Sequence, residues 1–162
     1  MTREGNEDRE GQSRFIYVIY IRTSLERLWS ALTSKEFARE YWRGAYPEAE
    51  WRKGGKWTLI YPDGTLCDAG EIVAFEPRKR LEIRWRNEWK PEFKAEGFSL
   101  CSMEIEPMED AVKLTVTHSM EREGSKFIEA VSGGWPQILS NLKSLLETGK
   151  VILGPKAAPG RA

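Results

Sequence analysis

Apolar positions along this chain recur at two different spacings. Near the C-terminus Trp135, Ile138, Leu139, Leu142, Leu145 and Leu146 fall at i, i+3, i+4, i+7, i+10 and i+11, a stripe down one face of a helix of about four turns. The pattern places Pro136 in the first turn and Gly149 just past the end as a C-cap, with a further turn over Phe127 to Val131. Upstream the spacing is mostly two. Phe15 to Arg22 is apolar on both faces and β-branched or aromatic throughout, which predicts a central or doubly covered strand. Tyr17, Ile19 and Ile21 share one face. Ile16, Val18 and Tyr20 share the other, which is a candidate for a covering loop or for contact with a second copy of the chain.

Two short helices follow. Thr23-x-x-Glu26 and Thr33-x-x-Glu36 both read as capping boxes, the first before Leu25, Leu28, Trp29 and Leu32, the second before Phe37, Tyr41 and Trp42. Strands are then predicted over 48–52, 57–61, 66–75, 81–86, 98–106 and 112–118, separated by turns at Gly54-Gly55, Pro62-Asp63-Gly64 and Glu76-Pro77. Residues 87–96 read as a polar, mobile loop. The expected organisation is a disordered segment 1–14, one domain over 15–149 and a loose Pro-, Gly- and Ala-rich tail over 150–162.

Composition narrows the classes of function. The 162 residues carry 25 basic and 25 acidic side chains, so there is no basic excess of the kind nucleic-acid binding requires. Met1 to Arg14 holds seven charges and no apolar run, which excludes a secretory signal within it, and no stretch reaches the roughly 20 apolar residues of a membrane span. Cys67 and Cys101 lie on separate predicted strands and fit a reducing cytoplasm better than a disulfide scaffold. Seven tryptophans are many for this length and suit the wall of an apolar cavity as well as a core.

Conventional catalytic patterns are absent. One His and two Cys show no metal-ligand spacing, no G-x-S-x-G elbow is present, and Gly54-Gly55-Lys56 lacks the earlier Gly and the Ser/Thr of a phosphate loop. Arg78-Lys79-Arg80 reads as a solvated turn. His118, the sole histidine, is in phase with Val112, Leu114 and Val116. It is therefore expected either to pack inside, bonded to a neighbour, or to orient a ligand from the concave side of the sheet.

The order of elements, together with Leu28-Trp29-Ser30-Ala31-Leu32-Thr33, Tyr41-Trp42, Gly54-Gly55-Lys56-Trp57, Asp63-Gly64, Gly70, Glu76-Pro77, Arg80-Leu81, Trp85, Leu114-Thr115-Val116-Thr117-His118 and Gly134-Trp135, resembles the START-like or SRPBCC superfamily. Within it the sequence is most similar to the family named after homologues of the activator of heat-shock-protein ATPase. The resemblance spans about residues 15–148. It implies an α+β helix-grip fold: a curved antiparallel sheet of about six to seven strands wrapped around the long C-terminal helix, with two short helices after the first strand. It also implies a cavity between sheet and helix of the kind relatives use for apolar small molecules. The co-chaperone for which the family is named carries a further N-terminal domain, for which this chain is expected to leave no room.

That arrangement would bring Trp42, Trp57, Tyr61, Trp85 and Trp135 around one space, joined by Leu59, Met103, His118 and Ile138. The function expected is non-catalytic binding of an apolar or aromatic small molecule there, with no metal or cofactor. The ligand would enter near the two short helices. The alternatives are an enzyme of cyclase or hydrolase type using His118 as acid or base, and a co-chaperone-like module acting on a heat-shock ATPase in a stress response.

Overall fold

In a computed structural model, which describes residues 3–9 and 11–156, eight strands form one antiparallel sheet in the order β1-β2-β8-β7-β6-β5-β4-β3. They are β1 (Arg3–Arg9), β2 (Gln12–Ile21), β3 (Tyr46–Ala49), β4 (Lys56–Ile60), β5 (Leu66–Glu76), β6 (Arg80–Asn87), β7 (Ser99–Met108) and β8 (Ala111–Met120). Four helices complete the chain: α1 (Leu25–Thr33), α2 (Lys35–Tyr41), α3 (Pro91–Lys94) and α4 (Lys126–Thr148). This is the expected helix-grip arrangement, with one strand more. The additional strand, β1, lies in the segment expected to be disordered; it pairs with β2 from Arg3 opposite Val18 to Arg9 opposite Gln12.

The strands form where period-two patterning is strong. In β2 and β8 every second residue is buried: Ser13, Phe15, Tyr17, Ile19 and Ile21 on one, Val112, Leu114, Val116, His118 and Met120 on the other. These strands pair directly, Ile19 against Leu114 and Tyr17 against Val116, so their apolar faces merge into one concave surface. α4 packs on it, burying Trp135, Ile138, Leu139, Leu142, Leu145 and Leu146, the six stripe positions. Ile16, Val18 and Tyr20 on the outer face of β2 remain half-buried.

Two glycines are required by close approach. A Cβ on Gly70 would sit 1.7 Å from the carbonyl oxygen of Arg84 on the neighbouring strand, and one on Gly55 would sit 1.9 Å from that of Glu50. The Pro62-Asp63-Gly64 turn forms as expected, with Gly64 at φ 89° and the Thr65 amide donating to Asp63 Oδ1 at 2.9 Å.

Helix starts depart from the expected positions. The caps of α1 and α2 are Ser24 and Ser34, one residue after the threonines of both capping boxes; their hydroxyls accept from the amides of Arg27 and Phe37. Ser and Thr are near-equivalent caps, so adjacent Thr-Ser pairs leave the sequence ambiguous by one residue. α4 begins ten residues before Pro136, which therefore lies inside the helix and not in its first turn. A proline there forfeits one helical hydrogen bond and costs on the order of 3 kcal/mol. The offset is a strong N-terminus: Ser125 Oγ accepts from the Ile128 amide, while the Glu96 carboxylate takes the Lys126 amide at 2.9 Å and the Phe127 amide at 3.3 Å.

Glu96 ends the stretch 87–96, expected as a mobile loop. Instead β6 continues to Asn87, α3 fills the middle, and Glu96 ties the end to α4. The first residues of the tail are also held. Buried Asn141 accepts from the amides of Ile152 and Leu153 and donates to the Leu153 carbonyl. The Lys156 amide donates to the Arg43 carbonyl. The expectation for the rest of the tail, 157–162, and for residues 1, 2 and 10, lies outside the described residues.

Candidate functional site

A solvent-open cleft of about 260 Å³ lies between the N-terminal half of α4, the segment after α2, α3 and the adjoining ends of β4, β5 and β6. Six of the nine expected site residues line it: Trp42, Leu59, Tyr61, Trp85, Trp135 and Ile138. Three of them form a triangle of indoles, with Trp42 and Trp135 centroids 5.3 Å apart, Trp85 and Trp135 6.0 Å, and Trp42 and Trp85 6.4 Å. Trp57 and Met103 face a separate void of about 20 Å³ behind Trp85 and Trp135. That volume suits one water at most.

His118 lines neither space. It is fully buried, and both ring nitrogens are bonded. The Trp135 indole N–H donates to Nδ1 at 3.1 Å, so Nδ1 carries no proton, and Nε2–H faces Ser99 Oγ at 2.8 Å. Ser99 Oγ in turn donates to the Trp85 carbonyl at 2.8 Å. Three donors in series thus fix a neutral imidazole. Burial holds its pKa down at about 3, far below the ordinary histidine range. Its role in this geometry is to hold Trp135 and Ser99 in place.

The polar part of the cleft wall is one that sequence reasoning missed. Asp68 and Asn87 both line it and are both buried. Asn87 Nδ2 donates to Asp68 Oδ1 at 2.8 Å, and the Cys67 thiol donates to Oδ2 at 3.2 Å. Burial pushes the Asp68 carboxyl up to about 7 against the pull of Cys67, Trp85 and Asn87, with the Glu88 charge adding to the rise. The Trp85 indole N–H makes no hydrogen bond of good geometry, although it lies close enough to favour charge on Asp68. The Cys67 thiol is itself driven up by burial and then by the Asp68 charge, which keeps it protonated.

Strand alternation should send Cys67 and Asp68 to opposite faces. They are buried together because pairing slips between Leu59 and Ile60: Leu59 faces Asp68 but Ile60 faces Leu66, leaving Cys67 as the extra residue of a bulge. No sequence signal at these positions announces the slip.

A profile for the family described as Activator of Hsp90 ATPase homolog 1-like protein matches residues 22–147. The chain belongs to this family. Solved structures agree on the fold. CalU16 from Micromonospora echinospora is 22% identical, with 92% of this chain and 88% of that one covered at a TM-score of 0.70. The Aha1 dimer from Colwellia psychrerythraea is 20% identical over 85% and 98% of the two chains at 0.67. An HSP90 activator from Plasmodium falciparum is 23% identical over 82% and 95% at 0.67. No curated protein matches the sequence.

In this member of the Activator of Hsp90 ATPase homolog 1-like family the charged groups of the cleft are divided. Asp68 lies in the wall. Arg43 stands at the rim, its guanidinium donating to Gln137 Oε1 at 2.8 Å and to the Gly154 carbonyl at 3.0 Å, beside exposed Lys156. Among the described residues no three His, Cys, Asp or Glu side chains converge as metal ligands, and no helix is long and apolar enough to cross a membrane.

Proposed function

We propose that this protein binds an apolar or aromatic small molecule, non-catalytically, in the cleft between α4 and the ends of β4, β5 and β6. The observation that carries the reading is an open space of about 260 Å³ walled by Trp42, Tyr61, Trp85 and Trp135. That size lies just under the roughly 300–1,000 Å³ of typical ligand sites. It favours a compound of one or two rings over a lipid chain. Burying some 200 Å² of apolar surface at ~25 cal/mol per Å² supplies about 5 kcal/mol before the cost of association, which suits weak to moderate affinity.

Acid–base catalysis by His118 finds no support in a ring that is buried away from the cleft with both nitrogens bonded. The relatives that are an HSP90 activator and an Aha1 dimer keep a protein partner and a second copy of the chain as competing readings. The outer face of β2, half-buried at Ile16, Val18 and Tyr20, is the surface either would use.

Native mass spectrometry of the protein purified from its own host, with a tryptophan-fluorescence titration against naphthalene, tests the reading. A retained small mass and a saturable change in emission are expected. An empty protein whose emission naphthalene leaves unchanged overturns it.

A further inference from the structure

We propose, resting on the binding role above, that Asp68 anchors the ligand through a positively charged nitrogen, so that the occupant of the cleft is a small aromatic or alkyl amine. Asp68 is only 4% exposed, yet none of the ion pairs among the described residues includes it. Its hydrogen-bond partners are the neutral donors Asn87 and Cys67, which occupy two of the roughly four acceptor positions a carboxylate offers. A buried carboxylate normally acquires a cation or gives up its charge. Here the hydrogen bonds favour the charged form, because both oxygens accept and no acceptor is bonded to either, while burial without a cation opposes it. The missing cation is what a ligand ammonium would supply.

The remaining wall fits the same guest. Aromatic faces attract ammonium groups, and Trp42, Trp85, Trp135 and Tyr61 line the space into which Asp68 opens. The Trp85 indole N–H is buried without a partner of good geometry and lies near enough to Asp68 to favour its charge. Other titratable groups around Asp68 are few. Cys67 is beside it on β5, Tyr61 follows β4, and Glu88 follows β6. α3 and α4 present no titratable side chain to the cleft. Arg43 and Lys156 are at the rim, where solvent and salt screen them over about 8–10 Å; they weigh against a cation far less than a buried charge would.

Three phenyl-bearing probes test the assignment: 2-phenylethylamine, 2-phenylethanol and the slightly larger 3-phenylpropionate, titrated while the tryptophan indole N–H resonances are followed by NMR. At pH 8 the amine should bind at least tenfold more tightly than the alcohol. Asp68 is ionised above about pH 7, so that advantage should shrink as pH falls from 7 to 5 while the alcohol's affinity stays constant. Asp68→Asn should abolish most of the amine's advantage over the alcohol. If the variant does not fold, the wild-type pH profile decides alone. Equal affinities at pH 8, a ratio flat across pH 5–8, or a preference for 3-phenylpropionate would overturn Asp68 as anchor and leave the cleft as a binding site. Saturable binding of naphthalene together with no response to any of the three probes would do the same. If naphthalene fails as well, the binding role itself falls.

Discussion

Trp135 is where fold and cleft meet, and its removal gives the most direct test of both. The ring is 4% exposed, packs against Trp42 and Trp85, and donates its N–H to His118. An indole buries about 150–250 Å². At ~25 cal/mol per Å² that is roughly 4–6 kcal/mol of transfer free energy, slightly above the ~3–5 kcal/mol commonly lost when a core aromatic becomes alanine. Trp135→Ala should therefore cost about 3–5 kcal/mol, which for a chain of this size lowers Tm by roughly 6–20 °C at ~2–4 °C per kcal/mol.

Trp135→Phe separates packing from hydrogen bonding. Phenylalanine keeps much of the apolar contact but leaves His118 Nδ1 buried without a donor, at a cost of about 1–3 kcal/mol. Urea unfolding at neutral pH measures both variants. The reasoning predicts alanine as the larger loss and phenylalanine as intermediate. An alanine variant within ~1 kcal/mol of wild type would refute the placement of α4 on the concave face of the sheet.

Three further outcomes follow from the packing. Gly70→Ala should lower Tm sharply or prevent folding, measured by thermal melting, because the new methyl group meets the Arg84 carbonyl oxygen of the paired strand at 1.7 Å. Asn141→Ala should leave the Ile152 and Leu153 amides unpartnered; hydrogen exchange over 150–156 should accelerate, with about 1–3 kcal/mol of stability lost. Asp68 has its pKa raised from 3.8 to about 7 on folding, so the native state holds the extra proton and stability falls as pH rises from 4 to 7. His118 has its pKa lowered from 6.5 to about 3, so its share of stability is lost as pH falls through that interval. The two slopes oppose each other between pH 4 and 6.5, where urea unfolding should find a flat profile in wild type. Asp68→Asn should expose the histidine slope, with stability falling as the medium is acidified; an equally flat profile in the variant would contradict it.

Periodicity carried the fold because the strongest patterns were also the most deeply buried. The β2 and β8 alternations and the Trp135–Leu146 stripe are backbone periods written in side chains, and tertiary context had nothing to override. Errors arose where that link is weak. β1 is a run of charged and small residues whose strand conformation comes from pairing with β2, not from its own composition. α4 starts early because of Glu96, a cap 29 residues from the Ser125 that it meets, and no local window contains both. The stretch 87–96 is polar, yet Asn87 turns inward to bond Asp68 and to accept the Trp89 and Lys90 amides, so the start of the stretch is fixed by a polar side chain satisfied inside the protein.

The cleft residues divide along the same line. Aromatic positions could be placed from the resemblance to a helix-grip fold, and Trp42, Leu59, Tyr61, Trp85, Trp135 and Ile138 do meet in one space. Asp68 was missed although it is in phase with buried Ile72 and opposite Leu59 and Asn87, because a carboxylate at an inward strand position reads from sequence as a solvated one. That makes its presence informative. Above pH 7 an ionised, buried carboxylate without a cation reduces stability by on the order of a few kcal/mol, and a neutral residue of similar volume would spare the fold that cost. Local departures from a self-consistent fold are expected where binding or chemistry demands them. Here a bulge, a buried carboxylate without a counter-ion and an unpartnered indole N–H coincide on the wall of one open cleft. The carboxylate and the indole N–H could each be removed by an ordinary substitution, and the bulge by deletion of one residue. Their coincidence there is the strongest physical reason to look for a ligand that carries the missing charge.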